Sequence, residues 1–262
     1  MGLLDATFAR ESLRTALSAR GAPPTQFQAL LSPYVRASSL GSCGRATVLK
    51  ARFPQQIIGA DAEASLAMLQ GDWAEDGMRT LLLEAGFLIR DSQRELNFHR
   101  DGQEVLRGHI DGIVGYDYGA LGTTWMLWEN KAMSAYRFKK LNLNGVGMSS
   151  PEYMIQMQTY MWLLRQEGES LDAALFTAVA KDPSAVNMGN RGPKISGLYI
   201  EVIPFNEEQA EEYILRGVGL QETIQNGGMW PHERTPGKDW DCSERFCSVY
   251  ALCDPKSTMK RR

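Results

Sequence analysis

Apolar and polar positions change period several times along this 262-residue chain. Residues 5–20 and about 24–36 read as short helices parted by Gly21-Ala22-Pro23-Pro24, and a further helical stretch begins after Ser42-Cys43-Gly44. From Asp61 to Ala85 the apolar residues Leu66, Met68, Leu69, Trp73, Met78, Leu81 and Leu82 approximate helical spacing, with Gly86 placed to end the helix. Strands are then predicted over 95–98, 105–116 and 124–133. Asp101-Gly102 and Gly119 to Gly122 fill the turns, which suits an antiparallel meander. Pro151 opens a helix to about Gln166, since proline is tolerated in a first turn. Strands at 173–180 and 198–203 flank a polar loop, 181–196, and a helix over 207–225 stops before Gly227-Gly228. This order predicts an α/β fold with a central mixed β-sheet flanked by helices. The expected divisions are a helical segment over 1–60, a core over 61–226 and an irregular cysteine-bearing segment over 227–262.

Composition changes this picture little. With 44% hydrophobic residues the chain can bury a full core. The net charge of −3 lacks the overall basic excess usual in nucleic-acid binders. Basic stretches do occur at Arg137, Lys139 and Lys140, at Lys181, Arg191 and Lys194, and at Lys260-Arg261-Arg262. No apolar stretch approaches the roughly 18 residues of a membrane span. The first residues lack the basic-then-apolar pattern of a secretory leader, and Ala6 breaks the myristoylation pattern, so a cytoplasmic protein without membrane association is expected.

The chemistry is concentrated in the meander. Glu129-Asn130-Lys131 ends an apolar run, Trp125-Met126-Leu127-Trp128, and follows Gly108-His109-Ile110-Asp111 by one strand and turn. Alternate strand residues share a face, so Glu129 and Lys131 point one way while Trp128 and Asn130 point the other. Asp111 sits among Ile110, Ile113 and Val114, where a carboxylate is costly unless paired or bound to metal. A salt bridge on a solvated face is the plain alternative for Glu-x-Lys alone. Glu75 follows Gly71 by one helical turn and is a third candidate ligand. Gln156 and Tyr160, four apart, share a helix face. His109 is expected to face away from Asp111 and is read as structural.

Taken in order, Gly71-x-x-x-Glu75, Gly108-x-x-Asp111, Glu129-x-Lys131 and Gln156-x-x-x-Tyr160 resemble the motif series of the PD-(D/E)XK nuclease superfamily, in its RecB-like branch. The resemblance implies a restriction-endonuclease-like fold. It implies that Glu75, Asp111 and Glu129 bind Mg²⁺ or Mn²⁺, that Lys131 positions the attacking water, and that Gln156 and Tyr160 contact DNA. Ile110 stands where many relatives have proline, and Glu75 where several have histidine.

Four cysteines are divided into Cys43 near the start and Cys242, Cys247 and Cys253 near the end. Stable disulfides are rare in the cytoplasm, which leaves metal ligation or free thiols. The close Cys-x-x-Cys pairs of most zinc sites are absent. CRISPR-associated and AddB-type relatives show the same one-and-three division, and that resemblance implies a 4Fe–4S cluster joining the two ends of the chain. Zinc and unligated thiols remain alternatives. The expectation is a metal-dependent DNA exonuclease of recombination or repair, acting on single strands or duplex ends. A homo-oligomer, or a helicase or recombinase partner, is compatible with it. A non-catalytic DNA-binding or scaffold protein of the same fold and a restriction-type endonuclease are the competing readings.

Overall fold

The computed structural model describes Thr15 and residues 34–57, 61–189, 194–235, 238–239, 241–244 and 246–253. Apart from Thr15, the helix expected at 5–20 lies outside the described residues, as do Arg191 and the basic terminus. The elements along the chain are β1 (Val35–Arg36), α1 (Gly44–Arg52), α2 (Ala62–Glu84), β2 (Leu88–Arg90), β3 (Glu95–Arg100), β4 (Gln103–His109), β5 (Gly112–Asp117), β6 (Thr123–Met133), α3 (Ala135–Ser149), α4 (Pro151–Gln166), β7 (Ala173–Ala180), α5 (Pro183–Asn187), β8 (Leu198–Pro204), α6 (Glu207–Gln225) and α7 (Tyr250–Cys253). They fall into two compact units. One comprises Tyr34–Ser42 and Gly71–Gln221; the other comprises the described residues within Met1–Pro33, Cys43–Gln70 and Glu222–Arg262.

The larger unit carries two sheets. Five strands run in the order β2-β5-β6-β7-β8, with β6 and β7 parallel and the other pairs antiparallel. Three strands form a smaller sheet in the order β1-β4-β3. On one face of the large sheet, Val114, Trp128 and Leu175 pack with Met78 and Leu82 of α2. The indole N–H of Trp128 donates to Thr177 Oγ1 at 3.0 Å, so its polar atom is satisfied in the core. Helices α3 and α4 pack on β6 and β7. Helix α4 also meets β3 of the small sheet, and its residues 156–161 are buried in succession. Partners on more than one side explain why it lacks a polar stripe.

The fold class expected from sequence, a mixed sheet flanked by helices, is what the chain adopts. Three local expectations are corrected. The single strand predicted over 105–116 is two strands in different sheets, β4 and β5, because the chain changes sheet at Ile110-Asp111. There is accordingly no three-stranded meander. The end of the helix predicted to residue 36 is strand β1, which pairs in parallel with β4. The polar 181–196 loop includes a short helix, α5, whose first turn is capped by Asp182 accepting from the Ala185 amide.

Three elements, β2, α3 and the short α7, have no counterpart in the predicted pattern. Helix α3 is broken inside by Gly145 at φ 72°, ψ 174°, a backbone state that favours glycine. Glu201 of β8 stabilises the break by accepting the Val146 amide at 2.9 Å. That irregularity and the polar face of α3 hide it from a periodicity search. No helix among the described residues is long and apolar enough to cross a membrane.

Candidate active site

Asp111 lies where the two sheets part. The pairing of β5 with β6 ends at Gly112 opposite Trp128. One residue earlier, Asp111 Oδ2 accepts the backbone N–H of Asn130 at 2.7 Å, replacing the next rung of the ladder with a side chain. The Ile110 amide donates to the Arg94 carbonyl at 3.1 Å, and Ile110 itself is fully buried. The break therefore leaves these backbone donors satisfied while it turns a carboxylate toward β6.

Glu129 sits in β6, the middle strand of the large sheet, with 0% of the residue exposed. Its Oε1 accepts from Lys131 Nζ and from Gln156 Nε2, the latter at 2.9 Å. Its Oε2 is buried and has no hydrogen-bond partner among the described residues. Gln156 Nε2 also approaches Tyr160 Oη at 3.3 Å, so the helix pair is tied to the strand pair through one amide. The Lys131 ammonium lies 5.4 Å from the centre of the Tyr153 ring. On α2, Glu75 Oε1 accepts from Arg79 Nη2 and from Gln93 Nε2, each at 2.7 Å.

Electrostatics couple these groups. Burial, and then the neighbouring Glu129 charge, push the Asp111 carboxyl up to about 7. Burial likewise raises Glu129, although Lys131 opposes it. Glu75 is raised by burial and then by Asp111. Burial pulls the Lys131 ammonium down, but Glu129 and Asp111 beside it outweigh this and hold it above its usual range. Tyr160 is raised by burial and by Glu129, so its hydroxyl keeps its proton at neutral pH. Three carboxylates are thus crowded against two named cations, Lys131 and Arg79.

A cleft of about 300 Å³ opens beside Lys131, Gln156 and Tyr160. Tyr34, Arg36, Ser38, Arg107, Gly108 and His109 complete its lining, which contains no carboxylate. Arg107 is steadied by Glu104 at 2.6 Å and lies 4.3 Å from the Tyr34 ring. His109 approaches Glu95 at 3.3 Å. His109, read from sequence as structural and facing away from Asp111, lines the cleft while Asp111 does not; alternation does not link the two, because the chain changes sheet between them. Arg79 is legible in the sequence, at one turn from Glu75. Arg36 and Gln93 reach the site from parts of the chain distant from its motifs, and sequence spacing carries no trace of them; Arg107 directly precedes Gly108 and lies on the same strand as His109.

In the smaller unit, Cys43 is the N-cap residue of α1. The segment from Gly228 to Glu233 is fastened along this helix. Arg52 donates to the Gly228 carbonyl at 2.6 Å, Arg45 to the Trp230 carbonyl at 3.0 Å, and the Gly44 amide to Glu233 at 2.7 Å. Cys242, Cys247 and Cys253 follow, with Cys253 Sγ 3.9 Å from His232 Nδ1. Burial raises the Cys242 thiol first, and then the charges of Cys253, Cys247 and Cys43, so all four sulfurs share one neighbourhood.

Among the described residues, no group of three or more His, Cys, Asp or Glu side chains is arranged to hold a metal ion as it stands. All three carboxylates are turned to protein donors, Glu75 to Arg79 and Gln93, Asp111 to the Asn130 amide, and Glu129 to Lys131 and Gln156. The donor set still fits a hard divalent cation: all three ligand candidates are carboxylates, and the orphaned Glu129 Oε2 lacks a counter-charge of its own.

No family model and no curated protein sequence matches this chain. Solved structures do. A protein designated SSO0001 superposes with a TM-score of 0.52 at 13% identity, covering 95% of this chain and 98% of that one. A phage-related exonuclease from Haemophilus somnus 129PT gives 0.49 at 15% identity, over 74% of this chain and 94% of its own. An alkaline exonuclease from Laribacter hongkongensis gives 0.50 at 17% identity, over 83% of this chain and 93% of its own. At these identities the likeness is one of fold, and the fold of this chain is that of the alkaline exonuclease.

Proposed function

We propose that this chain is a divalent-metal-dependent deoxyribonuclease of the RecB-like branch of the PD-(D/E)XK superfamily, an exonuclease acting on DNA ends in recombination or repair. The observation that carries the reading is the buried Glu129, whose Oε2 is unpartnered and whose charge stands against that of Asp111. A carboxylate pair held at the parting edge of two sheets is expensive unless a cation neutralises it. In this reading Asp111 and Glu129 hold Mg²⁺ or Mn²⁺, with Glu75 as the third ligand. The cation, when bound, supplies Lewis acidity at the scissile phosphate.

The chain's own groups do the rest. Lys131 keeps its proton through the neutral range and faces the cleft, where it can orient the attacking water or the phosphate charge. Gln156 and Tyr160 set the Glu129 carboxylate from the helix side and offer an amide and a phenol to the substrate. The carboxylate-free cleft with Arg36, Arg107 and His109 suits a polyanionic strand. The exonuclease named in the fold comparison supports end-directed cleavage over a sequence-specific cut.

The four cysteines are proposed to hold a 4Fe–4S cluster that fastens the C-terminal segment to α1. Support comes from their gathering in one unit beside the hydrogen bonds that already tie that segment down. Closing so long a loop removes unfolded-state entropy.

The test is anaerobically prepared protein incubated with end-labelled single- and double-stranded DNA and Mn²⁺, with EDTA controls. Progressive loss of end label that EDTA stops is expected. DNA binding without cleavage, or cleavage unaffected by EDTA, overturns the assignment.

A further inference from the structure

We propose that Gln93 is the positioning residue for Glu75: it holds one carboxylate oxygen so that the other is presented to a divalent cation shared with Asp111 and Glu129. This rests on the metal-dependent reading above. Two donors converge on the same oxygen, Glu75 Oε1, each at 2.7 Å. Arg79 comes from one turn along the same helix and divides itself with Asp76 at 2.9 Å. Gln93 comes from the turn between β2 and β3 and is the only one of the two that ties Glu75 to another element. With Oε1 held twice, rotation of the carboxylate is opposed and Oε2 is left to act as a ligand. Outer partners of this kind set ligand orientation in metal sites generally.

The turn that carries Gln93 is costly to form. Asp91 and Gln93 have φ values of 54° and 57°, in the left-handed region that residues with a β-carbon seldom adopt. Such conformations persist only where the surroundings impose them. Here Arg90 pairs with Asp91 at 2.8 Å and with Glu169, while Arg94 pairs with Glu169 at 3.0 Å and with Glu167. Both glutamates follow α4, the helix of Gln156 and Tyr160. The Arg94 carbonyl accepts the Ile110 amide, directly before Asp111. One four-residue turn therefore touches Glu75 through a side chain and the Asp111 segment through the backbone. Glycine at position 93 would fit the backbone without strain, but only a long side chain with a donor reaches Glu75.

The test compares equilibrium Mn²⁺ binding, read by the electron paramagnetic resonance of the free ion, in the intact wild-type chain and in Gln93→Gly, Gln93→Asn and Glu75→Ala. Gln93→Gly relieves the backbone and is expected to keep the thermal stability of wild type. Its Mn²⁺ affinity should fall about tenfold, within the range seen for outer-partner losses. Gln93→Asn also accepts the left-handed conformation but is one carbon too short, and should fall equally. The Mn²⁺ concentration needed for half-maximal cleavage should rise in step, with the loss recovered at high Mn²⁺. Unchanged affinity in folded Gln93→Gly or Gln93→Asn, alongside weakened Glu75→Ala, overturns the role of Gln93 and leaves the nuclease reading standing. No Mn²⁺ binding by wild type overturns both.

Discussion

The Tyr160 ring occupies the space in which a β-carbon on residue 108 would stand. Its Cε1 lies 2.4 Å from the position such an atom would take on Gly108. Real β-carbons do not tolerate that separation, so the glycine on β4 is what allows Tyr160 and Gln156 to close on Glu129. Gly108→Ala is expected to displace the ring, destabilise the protein by about 1–3 kcal/mol and cut cleavage at least tenfold. Adding Tyr160→Ala should recover part of the stability but none of the activity. Thermal denaturation of the two single variants and the double variant, as a cycle, checks this.

Stability should depend on pH in a direction opposite to ordinary acid denaturation. Asp111 titrates at about 7 in the folded chain and at about 3.9 when unfolded. Below the lower value both states hold the proton. Between the two, the folded state keeps a proton that the unfolded state has released, and this contribution is lost as pH rises toward 7. Glu129 is shifted in the same direction. In EDTA, wild type should lose about 1–3 kcal/mol relative to Asp111→Asn between pH 5 and pH 8. The pH dependence of the melting temperature of both proteins measures it, and parallel curves count against it.

Divalent cations should reverse that loss. A cation binding only the folded, ionised site stabilises it by mass action. Added Mn²⁺ is therefore expected to raise the melting temperature by several degrees at pH 8 and by much less at pH 5. Asp111→Asn should respond at neither pH. Equal responses at the two pH values would mean that the ion binds elsewhere.

Lys131→Met keeps most of the side-chain volume but removes the only cation bonded to Glu129 among the described residues. Cleavage should fall by at least a factor of about 10³, the scale of lost preorganised charge stabilisation. Without metal the variant should also be destabilised, by about 3 kcal/mol, because a buried carboxylate is left unpaired. Adding Glu129→Gln should restore stability but not cleavage. Wild-type rates in Lys131→Met would remove lysine from the proposed chemistry.

For the cysteines, anaerobic protein should be brown and carry about four irons per chain. Cys43→Ala should lose the iron and become susceptible to proteolysis within the segment after Gly228. Colourless wild-type protein containing zinc would assign the thiols differently.

Two side-chain relationships within the candidate site are legible in the sequence. The pairing of Glu129 with Lys131 on one face follows from strand alternation, and the sharing of a face by Gln156 and Tyr160 follows from helical periodicity. These are local regularities, fixed by the geometry of a few bonded neighbours. Where local geometry broke, reading failed. Residues 105–116 look like one strand because nothing in that run marks the point at which Ile110 gives its amide to Arg94 and Asp111 gives its carboxylate to Asn130. Helix α3 went unseen because its polar composition and its break at Gly145 blur the period.

By itself, the order of residues determined the mixed α/β class, the alternation that groups Glu129 with Lys131, and the division of the cysteines. Only the tertiary structure decided that Gly108 must be bare to admit Tyr160, that Arg36 and His109 share a cleft, and that Gln93 reaches Glu75. The reason is the range of the interactions. Periodicity records contacts made along one element, whereas these relationships join elements far apart in the chain, whose approach is set by packing the whole core.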